Sequence, residues 1–405
     1  MITLRAAKAA TYAAFIGSGF AFASWAARIP QVRDQLGLDP ATLGLVLLAV
    51  AAGSLLALPL SGMVVTRFGS ALTVRVMAYL LAASLAVVAL GSAAGVAPVV
   101  AGLFLLGFAN GTWDVAMNVQ GAVVEQRLGR SIMSRFHAGF SLGTVAGALL
   151  GAAMIALHVS VTAHLLGAAV VIAAIIPWYA QRFLDDRAAP EAAGSAGQSA
   201  GSALAAWREP RTLLIGVFVL AFAFAEGTGN DWISVAAIDG HGVPAALGTL
   251  AFAAFLTAMT AGRWFGPALL DRYGRVKVVC VLAAVGAAGV LLFVFGPSSP
   301  LAFVGTLLWG VGVSLGFPVG MSAGGDDPRR AAARVSVIAS IGYCAFLAGP
   351  PLIGFLGVQL SVLRALTVVA VLLGLAAIVA GSVRPLAGSP AEVEAQEREL
   401  ARTDA

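Results

Sequence analysis

The sequence predicts an all-α polytopic membrane protein with twelve transmembrane helices in two six-helix pseudo-repeats. Three observations lead there. First, 60% of the 405 residues are hydrophobic, 11% are charged and the mean hydropathy is +0.94. A soluble domain has roughly 45–50% apolar and about 25% charged residues. Second, the apolar residues fill windows of about twenty residues, the length that crosses ~30 Å of hydrocarbon at ~1.5 Å per residue. Such a window becomes a helix because a helix satisfies its own backbone hydrogen bonds, which lipid does not. Third, the basic residues are sorted to one side, and that sorting sets both the number and the direction of the windows.

The windows lie at 8–28, 42–64, 72–93, 96–119, 136–157, 161–182, 211–233, 246–267, 276–296, 300–321, 334–357 and 362–383. With the N-terminus in the cytoplasm, Arg28, Arg33 and Arg364 are the three of 24 Lys and Arg that fall outside. The others sit at or near cytoplasmic ends, such as Arg67 with Arg75 and Arg127 with Arg130. Removing one window would invert every later loop and destroy this asymmetry. The chain is therefore expected in the cytoplasmic (inner) membrane, multi-pass, with both termini cytoplasmic. The net charge of +5 follows from this sorting, so nucleic acid is not an expected partner. The first window follows Arg5 and Lys8 and is long enough to remain an anchor instead of a cleaved leader. Cys280 and Cys344 fall in spans nine and eleven. They read as small hydrophobes, not as a disulfide framework or metal site.

Residues 183–210 interrupt the pattern with an Ala/Gly/Ser run, APEAAGSAGQSAGSALAAW, which reads as a flexible cytoplasmic linker. It divides the chain into an N-terminal six-helix bundle (1–182) and a C-terminal one (211–384), followed by a polar cytoplasmic tail (385–405). The halves carry weak internal similarity. Arg67-Phe68-Gly69 after span two matches Arg272-Tyr273-Gly274 after span eight, 205 residues on. Trp25 and Trp232 occupy the outer ends of spans one and seven, where an interfacial aromatic belt is one reading. Repeated halves are a transporter signature, with the site near the midplane and access alternating as the halves rock.

Asp271-Arg272-Tyr273-Gly274-Arg275 with Lys277 resembles the cytoplasmic loop signature of the major facilitator superfamily, G-x-x-x-D-R-x-G-R-K. In the first half the motif is degraded: Thr66 stands at the acid position and Ser70 at a basic one. The resemblance implies the major facilitator fold and a charged latch made by Arg67, Asp271, Arg272, Gly274 and Arg275. The run NGTWDVAMNVQGAVVE in span four is similar to the fucose-permease-like branch. Span one lacks the acid that the fucose permease uses there, and span four lacks the Arg usual in drug–proton antiporters of the superfamily.

Asn110, Asp114 and Asn118 recur every four residues in span four, so they share one helix face. A carboxylate in hydrocarbon costs ~2.5–3.5 kcal/mol on insertion scales, so it marks a wet path or a partner. Asp114 is expected either to bind a proton coupled to solute movement or to form a fixed pair with Arg75 or Arg135. Asn110 and Asn118 read equally as solute donors and as interhelical glue, and Trp113 as a sugar-stacking ring or a packed one. In span seven, Glu226 stands beside Gly227 and Gly229 as a second proton or solute residue. Arg28 and Asp231 are candidate outer-gate partners. Glu125 reads as a solvated or gate residue.

These residues point to a secondary active transporter moving a small polar solute, a sugar among the candidates, by proton-coupled alternating access. Export of a moderately hydrophobic compound and a non-transporting membrane sensor are the alternatives. No P-loop, metal cluster or catalytic constellation is present in the sequence, so an enzyme, a metal and a cofactor are not expected. The expected partners are the solute, protons and the lipid bilayer, with the chain acting as a monomer.

Overall fold

The computed structural model describes residues 2–129, 132–186, 205–327 and 330–386. Most of the expected linker (187–204) and nearly all of the expected tail (387–405) lie outside the described residues. So do Arg130 and Arg329 of the basic loops.

Every regular element among the described residues is helical. Eleven helices are long and apolar enough to cross a membrane. They are span two (Pro40–Phe68), three (Ser70–Gly91), four (Val96–Leu128), five (Met133–Ala156), six (Val161–Ala180), seven (Pro210–His241), eight (Ala245–Tyr273), nine (Arg275–Phe295), ten (Ser299–Gly324), eleven (Ala331–Leu360) and twelve (Val362–Val383). The first window is the helix Leu4–Ala26, long enough to cross but diluted by Arg5, Lys8, Thr11 and Tyr12. It packs on spans four, five and six as a full member of its bundle. A short helix, Ile29–Leu36, follows it and ends on Gly37 in the left-handed conformation.

Several helices run past the expected windows, among them spans seven, to His241, and eight, to Tyr273; spans four and ten differ most informatively. Span four runs on to Leu128, where Gly129 in the left-handed region ends it. Its last turns carry Glu125 and Arg127, which a hydropathy window discards although the helix continues into the aqueous boundary. Span ten is broken into Ser299–Val313 and Gly316–Gly324, with Ser314 and Leu315 between. The apolar run is unbroken there, so composition alone did not reveal the interruption.

The described chain forms two compact units. The first contains residues up to 186 together with 230–256 and 350–363; the second contains 205–229, 257–349 and 364–386. In the first unit, span four packs on two and three, span three on six, and span one on five. The approach of spans one and five depends on the small-residue stripe of span five. A Cβ added at Gly143 would collide with the carbonyl of Ile16, so the two backbones touch directly. The same unit includes the ends of spans seven, eight and eleven far from the basic loops. Thr249 Oγ1 donates to the Ala27 carbonyl at 3.4 Å, and a Cβ on Gly354 would strike the Pro40 carbonyl. In the second unit, span nine packs on ten and twelve.

The two halves share one backbone device. Gly69 has φ 79° and ψ 158°; Gly274 has φ 79° and ψ 155°. This combination is essentially restricted to glycine, because a Cβ meets the flanking carbonyl. It turns the chain sharply out of one helix and into the next, which explains the glycine of the loop signature physically. The space around Gly274 is open to an added Cβ, so the cost of a side chain there is purely conformational. Gly274→Ala is expected to lower stability by about 1–3 kcal/mol, read as a lower thermal unfolding midpoint of the purified protein.

At the start of span seven, Glu209 accepts from Arg334 at 2.7 Å, Arg330 at 2.9 Å and Thr212 at 2.9 Å. Burial alone would raise its carboxyl, but the Arg334 and Thr212 hydrogen bonds and the neighbouring charges outweigh it, and the carboxyl titrates below its ordinary value. A depressed carboxyl stabilises the fold above its unfolded pKa of about 4.3, and the benefit disappears as pH falls through the folded value. Glu209→Gln is therefore expected to lower the unfolding midpoint at pH 7, by the equivalent of about 1 kcal/mol for a part-exposed pair. It should also flatten the acid limb of a midpoint-against-pH curve.

Candidate functional site

In the first unit the polar stripe of span four meets span one. Ser18 Oγ donates to Asn110 Oδ1 at 2.8 Å. One turn on, Asn118 Nδ2 donates to the Asp114 carbonyl at 2.9 Å and to Asp114 Oδ1 at 3.3 Å. The Asp114 side chain is exposed, although protein atoms surround it on most sides. Neither Arg75 nor Arg135 pairs with it, and it has no ion pair among the described residues. The fixed-pair alternative is therefore not formed.

Trp113 is fully buried, with its indole N–H unpartnered among the described residues. It faces into the bundle, so the sugar-stacking role is not open to it in this conformation. Trp25 and Trp232 are also buried, at 2% and 0% exposure, and so are packed rings and not an interfacial belt. Glu125 does not lie free in solvent: its Oε2 accepts from the backbone N–H groups of Ile132 and Met133 at 2.6 and 2.7 Å. It thereby caps the start of span five, where helix N–H groups lack partners.

In the second unit Glu226 is an ion-pair member. Both carboxylate oxygens lie 2.8 Å from Arg263 Nη2, and Arg263 Nε donates to the Ser314 carbonyl at 3.3 Å. Ser314 is the residue at which span ten breaks, so its carbonyl is available as an acceptor. Broken helices with freed carbonyls recur at transporter binding sites. Trp309, one turn earlier in span ten, fixes the neighbouring strip by donating to the Ala225 carbonyl at 3.2 Å. Glu226 and Arg263 retain 18% and 30% side-chain exposure. Arg263 was missed because its window seemed to end at residue 267, which placed it near a basic end. The helix continues to Tyr273, leaving Arg263 ten residues, ~15 Å, inside it. The signal was a single Arg flanked on both sides by apolar residues.

The expected outer-gate pair is replaced by other contacts. Arg28 is 2% exposed and donates to His164 Nδ1 at 2.9 Å and to the Val159 carbonyl at 3.0 Å. Asp231 is half-buried with no ion pair among the described residues. The pair that does form joins Arg33, on the short helix, to Asp239 at the far end of span seven. It is two-pronged, with Nη2 to Oδ1 at 3.0 Å and Nη1 on Oδ2. Arg33 also holds Asp34.

At the basic end, the hub is Asp326, just past the end of span ten. It is buried and accepts from Arg275 at 2.7 Å and Arg211 at 3.0 Å. Arg211 also donates to the carbonyls of Ser382 and Arg384, at 3.1 and 2.9 Å. Arg275 thus reaches from the motif across to span ten. Arg272 lies over Tyr273 at 5.2 Å, and Asp271 is exposed. In the first half, Ser70, at the Arg275 position, bonds Gln120 at 3.1 Å and receives Asp186 Oδ2 on its backbone N–H at 2.9 Å. Arg67 is exposed beside the Phe68 ring.

A model of the Major Facilitator Superfamily matches residues 11–345. The chain belongs to the major facilitator superfamily. It is accordingly a multi-pass membrane transporter and not an enzyme. An uncharacterised MFS-type transporter of Yersinia pestis is 31% identical over 90% of this chain and 92% of its own length. The membrane protein MosC of Rhizobium meliloti is 28% identical over 87% of this chain and 84% of its own. Among solved structures, a variant of the nucleoside transporter NupG covers 92% of this chain and 98% of its own, with a TM-score of 0.74 and 16% identity. The fucose:proton symporter FucP of E. coli covers 93% and 98%, with a TM-score of 0.57 and 15% identity. At these identities the likeness to the solved structures is one of fold.

The Glu226–Arg263 pair gives a direct test. Removing one partner leaves a charge without its counter-charge, which costs more than removing both. Arg263→Gln is expected to unfold at a lower temperature than the double variant Glu226→Gln/Arg263→Gln. The coupling should be about 1–3 kcal/mol, below that of a fully buried pair because both side chains keep some exposure.

Proposed function

We propose that this transporter is a proton-coupled secondary transporter of a small polar solute, with sugars and nucleosides the leading class. It would work in the cytoplasmic membrane by alternating access between an N-terminal bundle (1–182) and a C-terminal bundle (211–384), as a monomer with both termini cytoplasmic. One observation carries the reading: Asp114 is an exposed carboxylate in the middle of a membrane helix, with no ion pair and no side-chain hydrogen bond except from Asn118 among the described residues. An intramembrane carboxylate without a counter-charge is the group that most readily exchanges a proton with the aqueous path. Glu226 is neutralised by Arg263 and is assigned to solute binding, where the pair offers both donors and acceptors. Asn110 and Asn118 flank Asp114 and add amide donors of the kind that hydroxyl-rich solutes use. The NupG and FucP likenesses agree with a polar solute. Arg33–Asp239 is assigned to the outer gate, and Arg275–Asp326 with Arg211 to the inner latch.

Asp114→Asn is expected to abolish proton-driven accumulation of the solute in proteoliposomes while leaving solute exchange at equal pH within a few-fold of the unmodified protein. Accumulation by Asp114→Asn at the normal rate would remove the coupling assignment. Loss of exchange together with accumulation would move Asp114 to the solute site.

A further inference from the structure

A groove of about 560 Å³ runs along the first unit between spans one and six. Its walls are apolar, with Ile16 and Phe20 on one side and Val171 and Ile175 on the other, and Tyr12 and Tyr179 near one end. Ile16, Val171 and Ile175 are exposed, so the groove opens sideways, on a surface that membrane helices present to lipid. From Val171 to Tyr179 the helix rises ~12 Å. On span one the lining runs from Ala9 to Phe20, ~17 Å, and both lengths fall well short of the ~30 Å hydrocarbon core, so the groove does not form a path across the membrane.

The end near Tyr179 is basic. Lys8 directly precedes Ala9, which lines the groove, and Arg5 lies one turn earlier. Arg182 lies just beyond Tyr179, its guanidinium 3.6 Å over the Trp178 ring and 5.5 Å from the Tyr179 ring. Stacking of this kind holds the cation at the level where aromatic residues mark the headgroup boundary. None of the three basic residues has an ion pair among the described residues, and spans one and six contain no acid. The acids nearest in sequence, Asp185 and Asp186, lie past the end of span six, and Asp186 is engaged with the Ser70 backbone N–H.

We propose that this groove seats an acyl chain of an anionic phospholipid from the leaflet at the basic ends of the spans, with its phosphate held by Lys8, Arg182 and Arg5. Charge complementarity selects an anionic over a zwitterionic headgroup, because basic clusters between membrane helices attract negative lipids. The absence of polar side chains from the walls, apart from the tyrosine hydroxyls, selects a lipid tail over a polar solute. The site is separate from the Asp114 stripe and does not depend on its assignment.

The test uses the full-length protein in nanodiscs of equal phosphatidylglycerol and phosphatidylethanolamine, followed by native mass spectrometry of the retained lipid. Phosphatidylglycerol is expected to be retained several-fold over phosphatidylethanolamine. Lys8→Gln with Arg182→Gln should bring that preference close to parity. Ala13→Trp, which fills the groove, should reduce retention of both lipids. Equal retention of the two lipids by the unmodified protein would overturn the proposal. So would a preference unchanged by the charge variants, whose substitutions lie at the water boundary where folding is least affected, even if Ala13→Trp fails to fold.

Discussion

The cost of placing an ionised group in hydrocarbon organises this molecule. Every charged side chain inside a span must meet a counter-charge, a set of backbone acceptors or water. The structure uses all three solutions. Glu226 meets Arg263, and Arg28 meets an imidazole nitrogen and a carbonyl. Asp114 meets an amide and is otherwise exposed. The differences between these solutions separate their roles. A carboxylate clamped by a guanidinium already has its counter-charge, whereas a carboxylate held by a single amide does not.

The same constraint shapes the membrane boundaries. Arg275 and Arg211 converge on Asp326 where the spans leave the bilayer, and Arg211 takes up carbonyls at the end of span twelve. Two cations on one buried acid leave positive charge beside a helix C-terminus, which the helix dipole favours. Within the first unit, Arg33 and Asp239 form a second clasp at the C-terminal end of span seven. The Arg33–Asp239 clasp joins the two halves of the sequence, whereas Arg211, Arg275 and Asp326 tie together helices of the C-terminal half alone.

Much of this was legible from sequence because membrane insertion is read from composition. Window length, charge sorting and the Arg-x-Gly repeat identified the spans, and the repeat proved to be a shared glycine-only backbone conformation at Gly69 and Gly274. The stripe of Asn110, Asp114 and Asn118 followed from helical spacing alone. Partners were not legible. Asp326, Asp239 and Arg263 lie 51, 206 and 37 residues from their partners Arg275, Arg33 and Glu226. Helix rotation and tilt decide such pairings, and periodicity fixes neither. The break at Ser314 was hidden by an unbroken apolar run, and the choice between a stacking and a packed Trp113 stayed open because spacing gives its helix face but not what covers that face.

The most direct measurement is accessibility of position 114. In a background with Cys280 and Cys344 replaced, Asp114→Cys is treated with a membrane-impermeant, water-soluble thiol reagent from the basic side of oriented vesicles. Rapid modification, slowed by a transported solute, is the predicted result. Modification only by a lipid-soluble reagent, or none in any condition, would place Asp114 against lipid or sealed protein and contradict its assignment to a hydrated path.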